Sequence, residues 1–163
     1  MIPTEIEQFI SNIEELVPVY MATPEDQAKA KGVASLCLIG EDGQVYGKIF
    51  GTDKLRGRES FKIAWAKASQ VWITGMKTNE YERKVFTGEI DYHTFGIPLP
   101  DLVGYEGGQP ITLSDGTKLA VGFSGFRGGS DLEIVARAVK KIQYDQWISF
   151  TFKGNIINKT GFL

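Results

Sequence analysis

A chain of 163 residues with 18 Lys and Arg against 20 Asp and Glu, and 42% hydrophobic residues, is long and apolar enough for one domain, residues 1–163, with a core of its own. The formal charge of −2 gives no footprint for a nucleic-acid backbone or an anionic membrane, which demand clustered Lys and Arg, and neither partner is expected. The start, Met1-Ile-Pro-Thr-Glu-Ile-Glu, has no cationic and apolar leader, and no stretch nears the roughly 20 apolar residues that span a bilayer, so a cytoplasmic location is expected.

Thr4 opens a helical pattern with Ile6, Phe9, Ile10, Ile13 and Leu16 on one stripe, and Pro18 is expected to end it. Thr23-Pro24-Glu25 starts a short second helix, capped by Thr with Pro at the first helical position and closed at Gly32. Val33 to Ile39 is a short apolar run, the mark of a strand covered on both faces, and it packs away the single Cys37. Glu41-Asp-Gly-Gln44 supplies hairpin-turn chemistry, with Val45 to Phe50 returning as the partner strand.

Phe61, Ala64, Trp65, Ala68 and Trp72 recur at helical spacing, with two alanines that permit close approach to a sheet, and Gly75 marks the end. A shorter helix over Asn79 to Phe86 leads into an irregular loop, Gly88 to Gly108, that holds the single histidine, His93; a loop of that length is usually functional or disordered. Ser114-Asp-Gly-Thr117 repeats the hairpin chemistry between Ile111–Leu113 and Leu119–Phe123. Ser130 with Glu133 reads as a capping box, followed by the stripe Leu132, Val135, Ala136, Val139 and Ile142. Beyond it, Ile148, Phe150 and Phe152 alternate with Ser149, Thr151 and Lys153, the pattern of a half-buried strand in an aromatic extension over 143–163. The sum is an α+β fold with a mainly antiparallel sheet and flanking helices.

The strand Val33-Ala-Ser-Leu-Cys-Leu-Ile-Gly with Glu41-Asp-Gly, the helix segment Ser60-Phe-Lys-Ile-Ala64 with Ala66-Lys67-Ala68, the element Gly107-Gly-Gln-Pro-Ile111, and Val121-Gly-Phe-Ser-Gly125 leading to Asp131 together resemble the GlcG/HbpS-like family of heme-binding and related proteins over about residues 33–142. The resemblance implies a profilin-like α+β fold with a five-stranded, mainly antiparallel sheet, assembly as a homo-oligomer, and tetrapyrrole binding in some members. It supplies no iron ligand, which has to be argued from the residues.

His93 is the first candidate for that ligand, as a neutral imidazole, with a solvated loop histidine as the plainer reading; Tyr92, Tyr105 and Met76 are weaker candidates. Glu89, Asp91 and His93 alternate but lack a second His or a Cys to complete a structural zinc site. Ser124, Gly125, Arg127, Gly128, Gly129 and Ser130 form a glycine-rich turn at a helix start, where free N–H groups and a guanidinium suit a carboxylate such as a heme propionate. The competing reading is a plain helix cap with a solvated Arg127.

Glu106, beside two glycines, is a candidate general base or pocket carboxylate, against the commoner state of a surface glutamate. Gly122-Phe-Ser-Gly-Phe lacks the spacing of a nucleophile elbow, so Ser124 is not read as a nucleophile. Three functions follow. One is a small oligomeric protein binding heme or a related tetrapyrrole between subunits. Another is an enzyme in which His93 or Glu106 moves a proton on a small carboxylate, in a pocket of the 88–108 loop and the 124–130 turn. The third is a non-catalytic assembly protein.

Overall fold

The computed structural model describes residues 2–98 and 101–160, with the side chains of Phe150 and residues 152–160 outside the description. Five helices and four strands follow in the order α1 (Thr4–Met21), α2 (Pro24–Ala30), β1 (Ala34–Gly40), β2 (Val45–Phe50), α3 (Lys54–Thr74), α4 (Thr78–Phe86), β3 (Gly108–Thr112), β4 (Lys118–Ser124) and α5 (Gly128–Thr160). A single 3-10 turn, Tyr92–Thr94, interrupts the long loop. The sheet is antiparallel throughout, in the order β2-β1-β4-β3. The described residues therefore carry four strands where the resemblance implied five.

Both faces of the sheet are covered. Every residue of β1 is buried, as its unbroken apolar run requires. Leu36, Leu38, Val121 and Phe123 pack toward α1 and α5, with Phe9, Ile13, Ile134 and Val135. Cys37, Ile39 and Ala120 face the other way, against Ala64, Ala68 and Val71 of α3. Burial pushes the Cys37 thiol up to about 11, which leaves it a packing group rather than a nucleophile.

Gly122 sets how closely α3 approaches. A Cβ at that position would lie 1.9 Å from the Ala64 carbonyl oxygen, so the helix backbone rests directly on β4. This contact corrects the expected stripe on α3. The small Ala64 and Ala68 take the center of the interface, and the bulky Trp65 and Trp72 are turned to its flanks, 52% and 49% exposed.

Pro18 does not end α1. Both Pro18 and Glu14 lie on the exposed face, so the carbonyl deprived of an N–H partner meets water, while buried Val17 and Tyr20 hold the next turn in place. The Ala22 N–H continues the ladder to the Pro18 oxygen at 3.1 Å. The extension expected as a strand is instead the continuation of α5, an unbroken helix through Thr160. A continuous helix satisfies its own backbone N–H and C=O groups without a strand partner.

Candidate functional site

A cleft of about 920 Å³ opens on the α3 side of the sheet, where β4 leaves it and β1 enters. One wall is α3 from Leu55 to Lys67, where Arg56, Glu59, Ser60, Ile63 and Lys67 recur at helical spacing along one face. The end of α2 and the start of β1 supply Lys29, Ala30 and Val33; the long loop supplies Gly104, Tyr105 and Glu106. The turn after β4 closes the site with Ser124, Gly125, Phe126, Gly128 and the Asp131 side chain.

The loop reaches this wall because α3 and α4 hold it. Gln70 clamps Val103 in both directions, its amide nitrogen donating to the Val103 oxygen at 2.8 Å and its oxygen accepting the Val103 N–H at 2.7 Å. The Thr78 hydroxyl donates to the Tyr105 oxygen at 2.5 Å and accepts the Gly108 N–H at 3.3 Å. Across the cleft, the Ser60 hydroxyl donates to the Ser124 oxygen at 3.1 Å and ties α3 to the turn.

At the floor lies a buried ion pair. Lys67 Nζ donates to Asp131 Oδ2 at 3.3 Å and to the Phe123 oxygen at 2.9 Å, and each of the two side chains is only 3% exposed. Asp131 Oδ1 also accepts the Phe126 N–H at 2.9 Å. Burial pushes Asp131 up to about 7, against the opposing pull of Lys67 and the Phe126 N–H. Burial likewise pushes the Lys67 ammonium down, with Asp131 resisting. Gly107, at φ +118°, makes room for the amine: a Cβ there would lie 2.7 Å from Lys67 Nζ and 2.5 Å from the Phe123 oxygen.

Lys67 and Asp131 stand among the residues that carry the family resemblance but were not read as site residues, yet both carry a readable signal. Lys67 stands three residues after Ala64 and four before Val71, on the buried stripe of α3. Asp131 heads the stripe Ile134, Val135, Ala138 and Ile142, which is the true buried face of α5; Ala136, expected there, is exposed. A charged residue at an apolar position on each of two helices is the signature of a pair that meets.

The candidate residues separate. Glu106, Ser124, Gly125 and Gly128 line the cleft, whereas His93, Arg127, Gly129 and Ser130 are not among its lining residues. His93 sits 71% exposed on the 3-10 turn, its Nδ1 2.8 Å from Asp91 Oδ1 and its ring against Tyr92. The Asp91 carboxylate also accepts the His93 N–H, and these bonds hold it below its ordinary range.

Arg127 is 53% exposed, but its fork is already engaged. Its Nε and backbone N–H donate to Asp26 Oδ1 at 2.9 and 3.0 Å, and its Nη2 to Asp26 Oδ2 at 3.3 Å. Ser130 Oγ donates to the same carboxylate at 2.9 Å instead of capping α5, and Glu133 accepts the Tyr20 hydroxyl at 2.5 Å, so the expected capping box does not form. Burial alone would raise Asp26, but these donors hold it below its ordinary range. The turn expected to take a ligand carboxylate therefore spends the Phe126 and Arg127 N–H groups and the guanidinium on two carboxylates of the protein, Asp131 and Asp26. Among the described residues, the cations left at the cleft are Lys29 and Arg56, the latter 3.4 Å from the Lys29 carbonyl through Nη2.

No family model and no curated protein matches the chain. Solved structures do. PduOC in complex with heme superposes with a TM-score of 0.59 at 17% identity, covering 86% of this chain and 93% of its own. Klebsiella pneumoniae protein ORFY gives 0.60 at 16%, covering 88% and 90%. A double mutant of Streptomyces reticuli HbpS gives 0.57 at 16%, covering 87% and 88%. The chain thus shares the fold of the GlcG/HbpS-like proteins, as its sequence motifs suggested.

Proposed function

We propose that residues 1–163 act as one domain that binds a tetrapyrrole of the heme type in the α3 cleft, as part of a homo-oligomer. One observation carries this reading: a cleft of about 920 Å³ that joins apolar walls from Leu55, Ile63, Val33 and Phe126 to two cations, Lys29 and Arg56. The volume lies within the roughly 300–1,000 Å³ of cofactor sites, and the mixture suits a flat apolar body bearing carboxylates. The shared fold with heme-complexed PduOC and with HbpS supports it.

Each part of the ligand has a counterpart in the chain. Arg56 and Lys29 would take the propionates, Arg56 as a fork and Lys29 as a point charge. Heme, when bound, supplies an iron center whose chemistry depends on its axial donor. Tyr105, which lines the cleft and is 76% exposed, is the axial donor that position favors. His93 is the alternative, by its chemistry rather than its place.

Titration with hemin tests the proposal. A saturable Soret shift of fixed stoichiometry is expected, weakened in Arg56→Glu by about 1.5–3 kcal/mol for a lost charge-assisted bond, which is on the order of 10- to 100-fold in Kd. Tyr105→Phe is expected to change the band position where His93→Ala leaves it unchanged; the reverse pattern moves the iron to the histidine.

A further inference from the structure

The buried amine at the cleft floor is more than a staple. Lys67 is nearly sealed from water, faces a carboxyl group 3.3 Å away, and belongs to the lining of a cleft large enough for a ligand. A lysine freed of its proton is a nucleophile toward carbonyl carbon, and desolvation beside a group able to hold that proton is how such a lysine is prepared. The Gly107 cradle keeps side-chain atoms off one side of Nζ. The same cleft offers Lys29 and Arg56 for a carboxylate.

We propose that Lys67 condenses with small 2-oxo acids, with Asp131 as its proton partner. The proton passes from Lys67 Nζ to Asp131, leaving a neutral amine and a carboxylic acid. The amine lone pair forms the C–N bond to the keto carbon as the C=O π bond opens, and the nitrogen proton released transfers to the oxygen, giving a neutral carbinolamine. Asp131 then protonates that hydroxyl, the C–O bond breaks, and water leaves. The products are an iminium on Lys67 and the Asp131 carboxylate, so the floor ends with the same pair of charges with which it began. Nothing is oxidized or reduced, and no co-reactant is needed.

The condensation uses the same cleft as the proposed tetrapyrrole but does not depend on that ligand. The test is reductive trapping: the full-length protein is incubated with pyruvate and sodium cyanoborohydride near neutral pH, then analyzed by intact mass and peptide mapping. One pyruvate adduct per chain at Lys67 is expected, absent in Lys67→Arg, which keeps the charge, and slowed about tenfold or more in Asp131→Asn. Circular dichroism and hemin titration are run on the same three proteins. Should labeling of wild type spread over surface lysines with no preference for Lys67, or proceed at the wild-type rate in Lys67→Arg, the proposal is overturned. Hemin binding without the adduct removes the amine chemistry alone; the adduct without hemin binding removes the tetrapyrrole alone. If both variants unfold, the position of the adduct in wild type decides.

Discussion

At the scale of single residues, Asp131 makes stability depend on pH. Its folded value of about 7 stands above the roughly 3.9 of a free aspartate. Between those values the unfolded chain has released a proton that the fold retains, so stability falls as pH rises from about 4 to about 7. Urea unfolding is expected to show a lower midpoint at about pH 8 than at about pH 5, with that difference reduced in Asp131→Asn. Lys67 acts in the opposite sense on the alkaline side: burial lowers its folded value, so its contribution grows as pH climbs toward the ordinary lysine value of about 10.4. Glu106 was legible as a cleft residue because two glycines follow it. His93 drew notice because no other histidine competes, but rarity says nothing about where a loop places a side chain. The pair that does occupy the floor was hidden because a lysine and an aspartate on helices read as solvated until the stripes on both helices are set in register.

Between elements, two contacts fix the cleft. Asp26 joins α2 to the first turn of α5 by accepting from Arg127 and Ser130. Asp26→Ala is expected to cost on the order of 1–3 kcal/mol, because Arg127 and Ser130 lose a buried acceptor. Urea titration measures it, and Arg127→Ala is expected to shift the midpoint in the same direction rather than to act on ligand affinity alone. Gly122→Ala is expected to lower Tm, since overpacking of this kind typically costs about 1–3 kcal/mol and the added carbon would press on the α3 backbone at Ala64. The hairpin turns, the α3 end at Gly75 and the buried β1 were readable because each rests on local chemistry. The end of α1 and the α5 extension were not, because the first turned on which face meets water and the second on a helix that runs on through an alternation readable as a strand.

For the whole molecule, Trp65 and Trp72 lie at the flanks of α3, exposed, with Trp72 Cζ2 3.8 Å from where a Gly43 Cβ would stand on the β1–β2 turn. In the proposed homo-oligomer this surface is an expected contact, and Trp72→Glu should lower the mass seen in light scattering while leaving the circular dichroism of the fold unchanged. The central claim, that the α3 cleft is a tetrapyrrole site, is tested most directly by hemin titration of wild type beside Leu55→Asp, a change that puts a charge on an exposed apolar wall without touching the core. The account predicts a saturable Soret shift at fixed stoichiometry in wild type, lost or weakened at least tenfold in Leu55→Asp with the melting temperature retained. A hemin spectrum that stays that of free hemin in wild type, or a Leu55→Asp titration that overlays the wild-type curve, would contradict it.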